Sequence, residues 1–485
     1  MFQRSAIAVA VIACAALLSP APFAAVLAAP VHTAPVQAAP AQATQDALAA
    51  SIDALLAPHF KADAPGITVI ATKDGKPVFR KAYGMADVNA KQPLAADAVL
   101  RLGSITKQFT AIGILMLADE GKLALTDDIT RFLPGYPTDG RKVTVEHLLT
   151  HTSGIVSYTS KPDFRDVMGK DVSVEQAIDY FKNDTPEFSP GSTFRYNNSG
   201  YFLLGAIIEK VSGQPYARFM EQRIFKPLGM AHTGYEGSGA GLTPVPGYSV
   251  RDGQATPSAP LSMAWPYAAG ALVSNVDDLA RWQAALAEGK LVHPETLRRA
   301  FTPFTLADGK AGPYGHGWFI GQLHATRLVF HGGNINGFST DAVWLPDDRV
   351  YVAMLGNREA GAGGVPLEKL TRQVAMRIAG KPLPVPSGAK LDAATLAGYE
   401  GVYPVDPKVS LEVGRDGDGL VMRRSGRPAV PLLHYKTDGF LLGDTLATAA
   451  FTRDGNGKVT AMTISSDRGE RVHERTPRAG EAPVP

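Results

Sequence analysis

Ser104 and Lys107 stand three residues apart at the head of the run Arg101-Leu-Gly-Ser-Ile-Thr-Lys-Gln-Phe-Thr-Ala-Ile-Gly-Ile-Leu-Met-Leu-Ala-Asp-Glu-Gly121. Ile105, Phe109, Ile112 and Met116 recur at helical spacing and Gly121 supplies a stop, so the run reads as a buried helix. Residues three apart share a helix face, which brings the hydroxyl and the amine within reach of each other. An ammonium stripped of its water has its pKa lowered, so Lys107 could take the proton of Ser104 and leave a nucleophile. The tetrad S-x-x-K is unspecific alone, since an N-cap serine followed by a solvated lysine also satisfies it.

Three further polar clusters bear on chemistry. In Ser189-Pro-Gly-Ser-Thr-Phe-Arg-Tyr-Asn-Asn-Ser-Gly-Tyr201, Pro190-Gly191 sets a turn and Tyr201 to Val211 reads as a core helix. Tyr196 and Asn198 then sit on a loop entering that helix: a phenol near a lysine ammonium could have a lowered pKa and relay protons, and an amide could bind a substrate carbonyl. A capping loop is the structural alternative. In Leu328-Val-Phe-His-Gly-Gly-Asn-Ile-Asn-Gly-Phe338 an apolar strand ends in His331 and two glycines, which would let a ligand approach the backbone while His331 offers a donor or partial charge at the far wall of a cleft. His147 and His151, at i and i+4, have zinc spacing, but no glutamate follows the first histidine and no third ligand is identifiable. They read as a helix terminus, and no metal or cofactor is expected.

These residues must be carried by a scaffold. The chain has 485 residues, more than one core usually supports, and 48 Lys+Arg against 46 Asp+Glu with no dense basic run, which argues against nucleic acid or an anionic membrane surface as partner. Residues 1–28 have a positive start, an apolar stretch from Ala6 to Leu18 and small residues at Val26 and Ala28, the pattern of a signal peptide and hence of a periplasmic or secreted protein. The single cysteine, Cys14, falls in that leader; a lipoprotein site there is the competing reading, with few apolar residues before it. No later run is long and apolar enough to span a bilayer. Residues 29–43 read as a Pro/Ala/Gln linker, and Gln45 to Leu56 as an amphipathic helix.

Ile67 to Lys73 and Pro77 to Tyr83 flank Asp74-Gly75, a hairpin signal. The next strand-like runs lie near 329 and 350, so the sheet is expected to assemble from both ends of a domain over 44–380, with helices and loops between: an α+β layout. A proline-rich joint at 381–390 precedes a second domain at 391–476, where short apolar runs alternate with Asp416-Gly417, Asp438-Gly439, Asp454-Gly455 and Asn456-Gly457. That spacing predicts an antiparallel meander able to close as a small barrel, followed by a tail at 477–485.

Taken together, Ser104-x-x-Lys107, Tyr196-x-Asn198 and His331-Gly332-Gly333, in this order, resemble the serine β-lactamase and penicillin-binding superfamily in its class C-like branch. Leu148-Leu-Thr-His-Thr-Ser-Gly154, Pro227-Leu-Gly-Met230, Ala268 to Trp282 and Tyr314-Gly-His-Gly-Trp318 are similar to runs of the same family, over roughly residues 45 to 380. Leu396-Ala-Gly-Tyr-Glu-Gly-Val-Tyr403 resembles the start of lipocalin-like β domains appended to many members.

The resemblance implies a β-lactamase/transpeptidase-like antiparallel sheet with a helical subdomain. It further implies Ser104 as acyl-enzyme nucleophile, Lys107 and Tyr196 sharing base and acid duties, and substrate contacts from Asn198, His331, Gly333 and Asn334. The backbone N–H groups of Ser104 and Asn334 would form the oxyanion hole. Class C β-lactamases mostly carry Lys-Thr-Gly at the third motif; histidine there is closer to the D-peptidase, D-aminopeptidase and esterase members. The expected activity is cleavage of an amide or ester in a D-amino-acid peptide or small ester. A class C-type β-lactamase, or a non-catalytic binder or sensor of cell-wall fragments, are the alternatives. No G-x-S-x-G elbow occurs, which disfavours an α/β-hydrolase.

Overall fold

The computed structural model describes residues 39–238, 242–361, 366–467 and 469–476. The leader with Cys14 and the tail at 477–485 lie outside them. The first element, α1 (Ala39–Leu56), starts inside the stretch expected to be linker. Pro40 is tolerated in a first helical turn, and the alanines and glutamines after it are good helix formers, so nothing local stops the helix before Gln45.

Two strands follow, β1 (Ile67–Lys73) and β2 (Lys76–Tyr83), closed by Asp74 and Gly75, both at positive φ (53° and 73°) as the dipeptide demands. The serine-lysine run forms a short 3₁₀ turn, Gly103–Ile105, leading into α2 (Thr106–Asp119). This helix is apolar on every side and buried almost throughout, which places it in the middle of the core rather than against one surface. Next to it packs α3 (Asn198–Ser212), which starts three residues before the expected run and takes its N-cap from Asn197, whose Oδ1 accepts from Gly200 N–H at 2.8 Å.

Four strands then complete the sheet: β3 (Phe319–Leu323), β4 (Thr326–Ile335), β5 (Phe338–Leu345) and β6 (Val350–Gly356). The order β3-β4-β5-β6-β1-β2 joins the two ends of the domain, because β1 pairs with β6 from Ile67↔Gly356 to Lys73↔Val350. Both faces are covered. Ile70, Tyr351, Ala353 and Leu355 face the helical core around α2 and α3, whereas Ile67, Val69, Val350, Val352 and Met354 face α1 and α4 (Leu367–Ile378). Coverage on two sides explains why β6 is a continuous apolar run rather than an alternating one. A buried ion pair, Arg372 to Asp341 at 2.7 Å, ties α4 to β5.

After a stretch without regular structure at 381–390, Asp392 caps α5 (Ala393–Tyr399), accepting from Thr395 N–H at 2.8 Å. Eight antiparallel strands in sequential order follow, from β7 (Gly401–Asp406) to β14 (Gly469–Glu474). A bridge between Val402 and Thr476 brings the chain's last described residue back to the first strand, so the sheet is nearly closed. Its interior holds Tyr403, Leu411, Val413, Leu420, Phe440, Phe451 and Met462, with Leu396 and Tyr399 of α5 packed in. Gly417 and Gly457 take positive φ in the turns where Asp-Gly and Asn-Gly signalled them.

The barrel and the six-stranded sheet lie in one compact unit from Gln45 onward. They meet at β3, where Gln322 N–H donates to the carbonyl of Asp467 at 3.0 Å. Gly321 makes this approach possible, since a Cβ there would stand 2.3 Å from the Asp467 oxygen. An ion pair between Lys369 and Asp444 and the packing of Leu446 on the α1–α4 core reinforce the contact. Among the described residues no helix is long and apolar enough to cross a membrane.

Candidate active site

Backbone approach comes first. Gly103 adopts φ +53°, and a Cβ on it would lie 3.2 Å from the Asn334 nitrogen; a Cβ on Gly333 would lie 2.1 Å from the Leu102 carbonyl oxygen and 3.0 Å from the Ser104 nitrogen. Two glycines on separate segments thus let the 3₁₀ turn and the end of β4 touch backbone to backbone. Thr340 Oγ1 fastens them by donating to the Leu102 carbonyl at 2.8 Å.

The register then fixes where the Asn334 amide points. The β4–β5 hairpin closes at Ile335↔Phe338 around Asn336-Gly337, and hydrogen-bonded and non-bonded pairs alternate from there. Asn334, opposite Ser339, is a non-bonded pair, so its N–H leaves the free edge of β4, which β3 no longer covers beyond Phe330. That edge faces Ser104. The two expected oxyanion donors, Ser104 N–H and Asn334 N–H, are therefore on adjoining backbone at one wall of a cleft of about 130 Å³.

Lys107 lies under the serine, 0% exposed. Its Nζ is 3.1 Å from Ser104 Oγ, 2.8 Å from Asn198 Oδ1 and 2.9 Å from the Ala269 carbonyl. It also sits 4.9 Å from the centroid of the Tyr196 ring. Burial pushes its pKa well below that of an ordinary lysine. A neutral amine has two N–H groups and one lone pair; Asn198 and Ala269 accept the two protons, so the lone pair is left for the Ser104 O–H.

The Tyr196 hydroxyl is fully buried without a hydrogen bond of ordinary geometry. Burial raises its pKa, and the neighbouring Ser104 hydroxyl offsets this only in part. This corrects the expectation of a lowered tyrosine pKa: loss of water disfavours the phenolate more than the Ser104 hydroxyl favours it. The phenol keeps its proton.

Asn198 is the first residue of α3 and lines the cleft; its Nδ2 donates to Thr159 Oγ1 at 3.0 Å, and its backbone N–H to Ser157 Oγ at 3.1 Å. With its Oδ1 held by Lys107, it orients the amine as well as walling the cleft.

His331 does not face the cleft. It is buried behind Tyr196, with Nδ1 2.6 Å from the Gly332 carbonyl and Nε2 2.9 Å from Tyr314 Oη. A carbonyl can only accept, so Nδ1 carries the proton and Nε2 accepts from Tyr314. Burial above all pushes its pKa down to about 3. His331 is thus a neutral structural residue: it shares a strand face with Gly333, but its ring is held among Tyr314, Tyr196 and Phe319 while Gly333 alone of the two glycines approaches Ser104. Gly333 likewise acts through backbone clearance rather than by lining the cleft.

His147 closes a capping box with Thr144, and His151 lies beyond that helix among aromatic rings. No group of three His, Cys, Asp or Glu among the described residues is arranged to hold a metal ion.

The remaining cleft wall was not evident from sequence. Tyr158, Phe164, Leu261, Pro266 and Ile335 supply an apolar surface, with Thr159 and Asn336 as neutral polar groups. They come singly from separate loops and carry no periodicity that would mark them. Among the described lining residues there is no lysine, arginine or histidine.

A sheet covered by helices, with a serine-lysine pair and a tyrosine meeting under its edge strand, defines a serine hydrolase of the β-lactamase/transpeptidase-like fold. The chain belongs to the beta-lactamase family, whose model matches residues 46–376. Residues 386–476 match a domain of unknown function (DUF3471). Penicillin-binding protein 4* of Bacillus subtilis is 28% identical over 433 residues, covering 84% of this chain and 94% of that one. The octameric penicillin-binding protein homologue from Pyrococcus abyssi superposes with a TM-score of 0.59 at 26% identity, over 89% of this chain and all of that one. A D-stereospecific amidohydrolase from Streptomyces sp. gives 0.56 at 29% identity, over 69% and 98%.

Proposed function

We propose that this chain is an exported serine hydrolase that forms an acyl-enzyme at Ser104 and cleaves amides or esters that present no carboxylate to the cleft wall, such as D-amino-acid amides, D-peptides or small esters. One observation carries the catalytic half: buried Lys107 sets Nζ 3.1 Å from Ser104 Oγ with Asn198 Oδ1 and the Ala269 carbonyl as its other partners, so that as a free amine it would give those two its N–H groups and turn its lone pair to the Ser104 proton. The substrate half draws on the cleft wall, whose described residues are apolar or neutral polar and include no cation to pair with a carboxylate. Likeness to a D-stereospecific amidohydrolase supports the same class, and the leader at 1–28 supports export.

In this reading the substrate carbonyl oxygen lies between the N–H groups of Ser104 and Asn334. Ser104 Oγ bonds to the carbonyl carbon as its proton passes to Lys107, and the negative charge on oxygen is held by the two amides. The tetrahedral intermediate collapses with cleavage of the C–N or C–O bond, and Tyr196 gives its proton to the leaving atom. The ammonium proton of Lys107 then restores the phenol. Water attacks the acyl carbon, its proton goes to the Lys107 amine, and scission of the C–Oγ bond returns that proton to Ser104.

A fluorophosphonate probe followed by peptide mass analysis is expected to place one adduct on Ser104 and none in Ser104→Ala. With p-nitrophenyl esters, D-alaninamide, D-phenylalaninamide and nitrocefin, the amides and esters, which carry no carboxylate, are expected to turn over ahead of nitrocefin. Preference for nitrocefin would favour a class C-type β-lactamase, and a folded protein with no adduct would favour a binder of cell-wall fragments.

A further inference from the structure

His151 touches neither the cleft nor Ser104, yet it grips the residues on either side of Tyr196. Its carbonyl accepts from Arg195 N–H at 2.9 Å, and its ring Nδ1 accepts from Asn197 N–H at 3.0 Å. The residue between those two anchors is Tyr196, whose ring centroid lies 4.3 Å from that of His151. Phe319 of β3 stacks on Tyr196 with centroids 6.1 Å apart and planes within 10°. Both flanking amides and one ring contact of the tyrosine are thus referred to one residue, His151.

Two features set His151 apart from a filler of the core. It holds φ +59°, a left-handed conformation that histidine and asparagine adopt more readily than most side chains. Acceptance at Nδ1 leaves the proton on Nε2, and that buried nitrogen has no hydrogen-bond partner among the described residues. A buried donor without an acceptor is a standing cost to the fold, one that an apolar ring would not incur. What the imidazole supplies in return is an acceptor at one fixed point beside Asn197. Burial keeps the ring neutral and so able to accept.

We propose that His151 is a positioning residue for Tyr196: its carbonyl and Nδ1 pin the backbone on both sides, and its ring sets the plane from which the phenol meets the leaving group at Ser104. The proposal rests on the reading of Tyr196 as the proton donor, and the test separates the two.

His151→Phe retains a ring and loses the acceptor; His151→Asn retains an acceptor near the same place and suits left-handed backbone. In His151→Phe, kcat and the rate of fluorophosphonate labelling are expected to fall by about 10- to 50-fold with KM little changed, since only the transition-state geometry is disturbed. His151→Asn is expected to recover most of that loss. In a Tyr196→Phe background, adding His151→Phe is expected to change kcat less than about 2-fold, because the residue acts through the missing hydroxyl. If the two losses multiply in the double variant, or folded His151→Phe keeps wild-type kcat, the proposal is overturned. If Tyr196→Phe alone costs nothing, the catalytic reading fails instead. Should His151→Phe not fold, His151→Ala with added imidazole serves: saturable rescue of kcat is expected, and a folded variant that imidazole leaves unrescued overturns the clamp.

Discussion

Lys107 and Tyr196 are both displaced from their ordinary pKa values by the same cause, loss of water, and in opposite directions of consequence. Burial disfavours the ammonium and the phenolate alike, so the amine falls and the phenol rises. In the proposed mechanism the pair serves as base and acid, the division of labour an acyl transfer needs. The sign of the pH dependence follows. That mechanism requires Lys107 unprotonated, so kcat/KM is expected to rise with pH through a lysine pKa well below 10.5, the value of a solvated amine. It requires Tyr196 protonated, so the alkaline decline is expected above 10. A pH–rate profile with a plateau across neutral and mildly alkaline pH agrees with this; an ascending limb near 10.5 would assign the base elsewhere. Burial holds the imidazole of His331 neutral against the pull of the Gly332 carbonyl, so it adds no limb near 6.5.

At the scale of elements, the site depends on how closely a turn and a strand can meet. The 3₁₀ turn at Gly103–Ile105 and the end of β4 present the Ser104 and Asn334 amides only because Gly103 and Gly333 carry no Cβ. Gly333→Ala would put a methyl 2.1 Å from the Leu102 carbonyl and 2.4 Å from Thr340 Oγ1, so the strand must retreat. Losing one aligned donor is expected to lower kcat by about 10²–10³-fold, as removal of an oxyanion donor does elsewhere. The overall fold should survive, visible as an unchanged far-UV spectrum with a lowered Tm. An alanine variant with full activity would mean that the Asn334 amide is not used. Helix α2 contributes differently: buried on nearly all sides, it holds Lys107 away from bulk solvent and so lowers the amine's pKa, which an amphipathic helix with its polar face in water would not do.

Across the molecule, the barrel and the catalytic tyrosine are joined through β3. Asp467 of the barrel accepts from Gln322 at one end of that strand, and Phe319 at the other end stacks on Tyr196. Gly321→Val would drive a side chain into the Asp467 carbonyl, 2.3 Å from where its Cβ must sit. The expected result is a loosened barrel, read as faster proteolysis in the 381–390 stretch, together with a kcat lowered by several-fold as β3 shifts Phe319. Faster cleavage with unchanged kcat would show that the barrel only stabilises the sheet.

Much of this was legible beforehand, for identifiable reasons. The β1–β2 hairpin, the sheet drawn from both ends of its domain, the buried serine-lysine helix and the meander of strands are local or periodic signals, and each appears where residue spacing put it. The class of chemistry was legible too, since it depends on which residue types are present in which order. Tertiary structure alone decided which side each group faces and what state it holds. A strand's pleat turned His331 inward and left Asn334 outward; solvent exclusion from three separate segments set Lys107 and Tyr196; and single residues from unrelated loops made the cleft apolar. Charge state and facing are properties of packing between distant parts of the chain, and no window of sequence contains them.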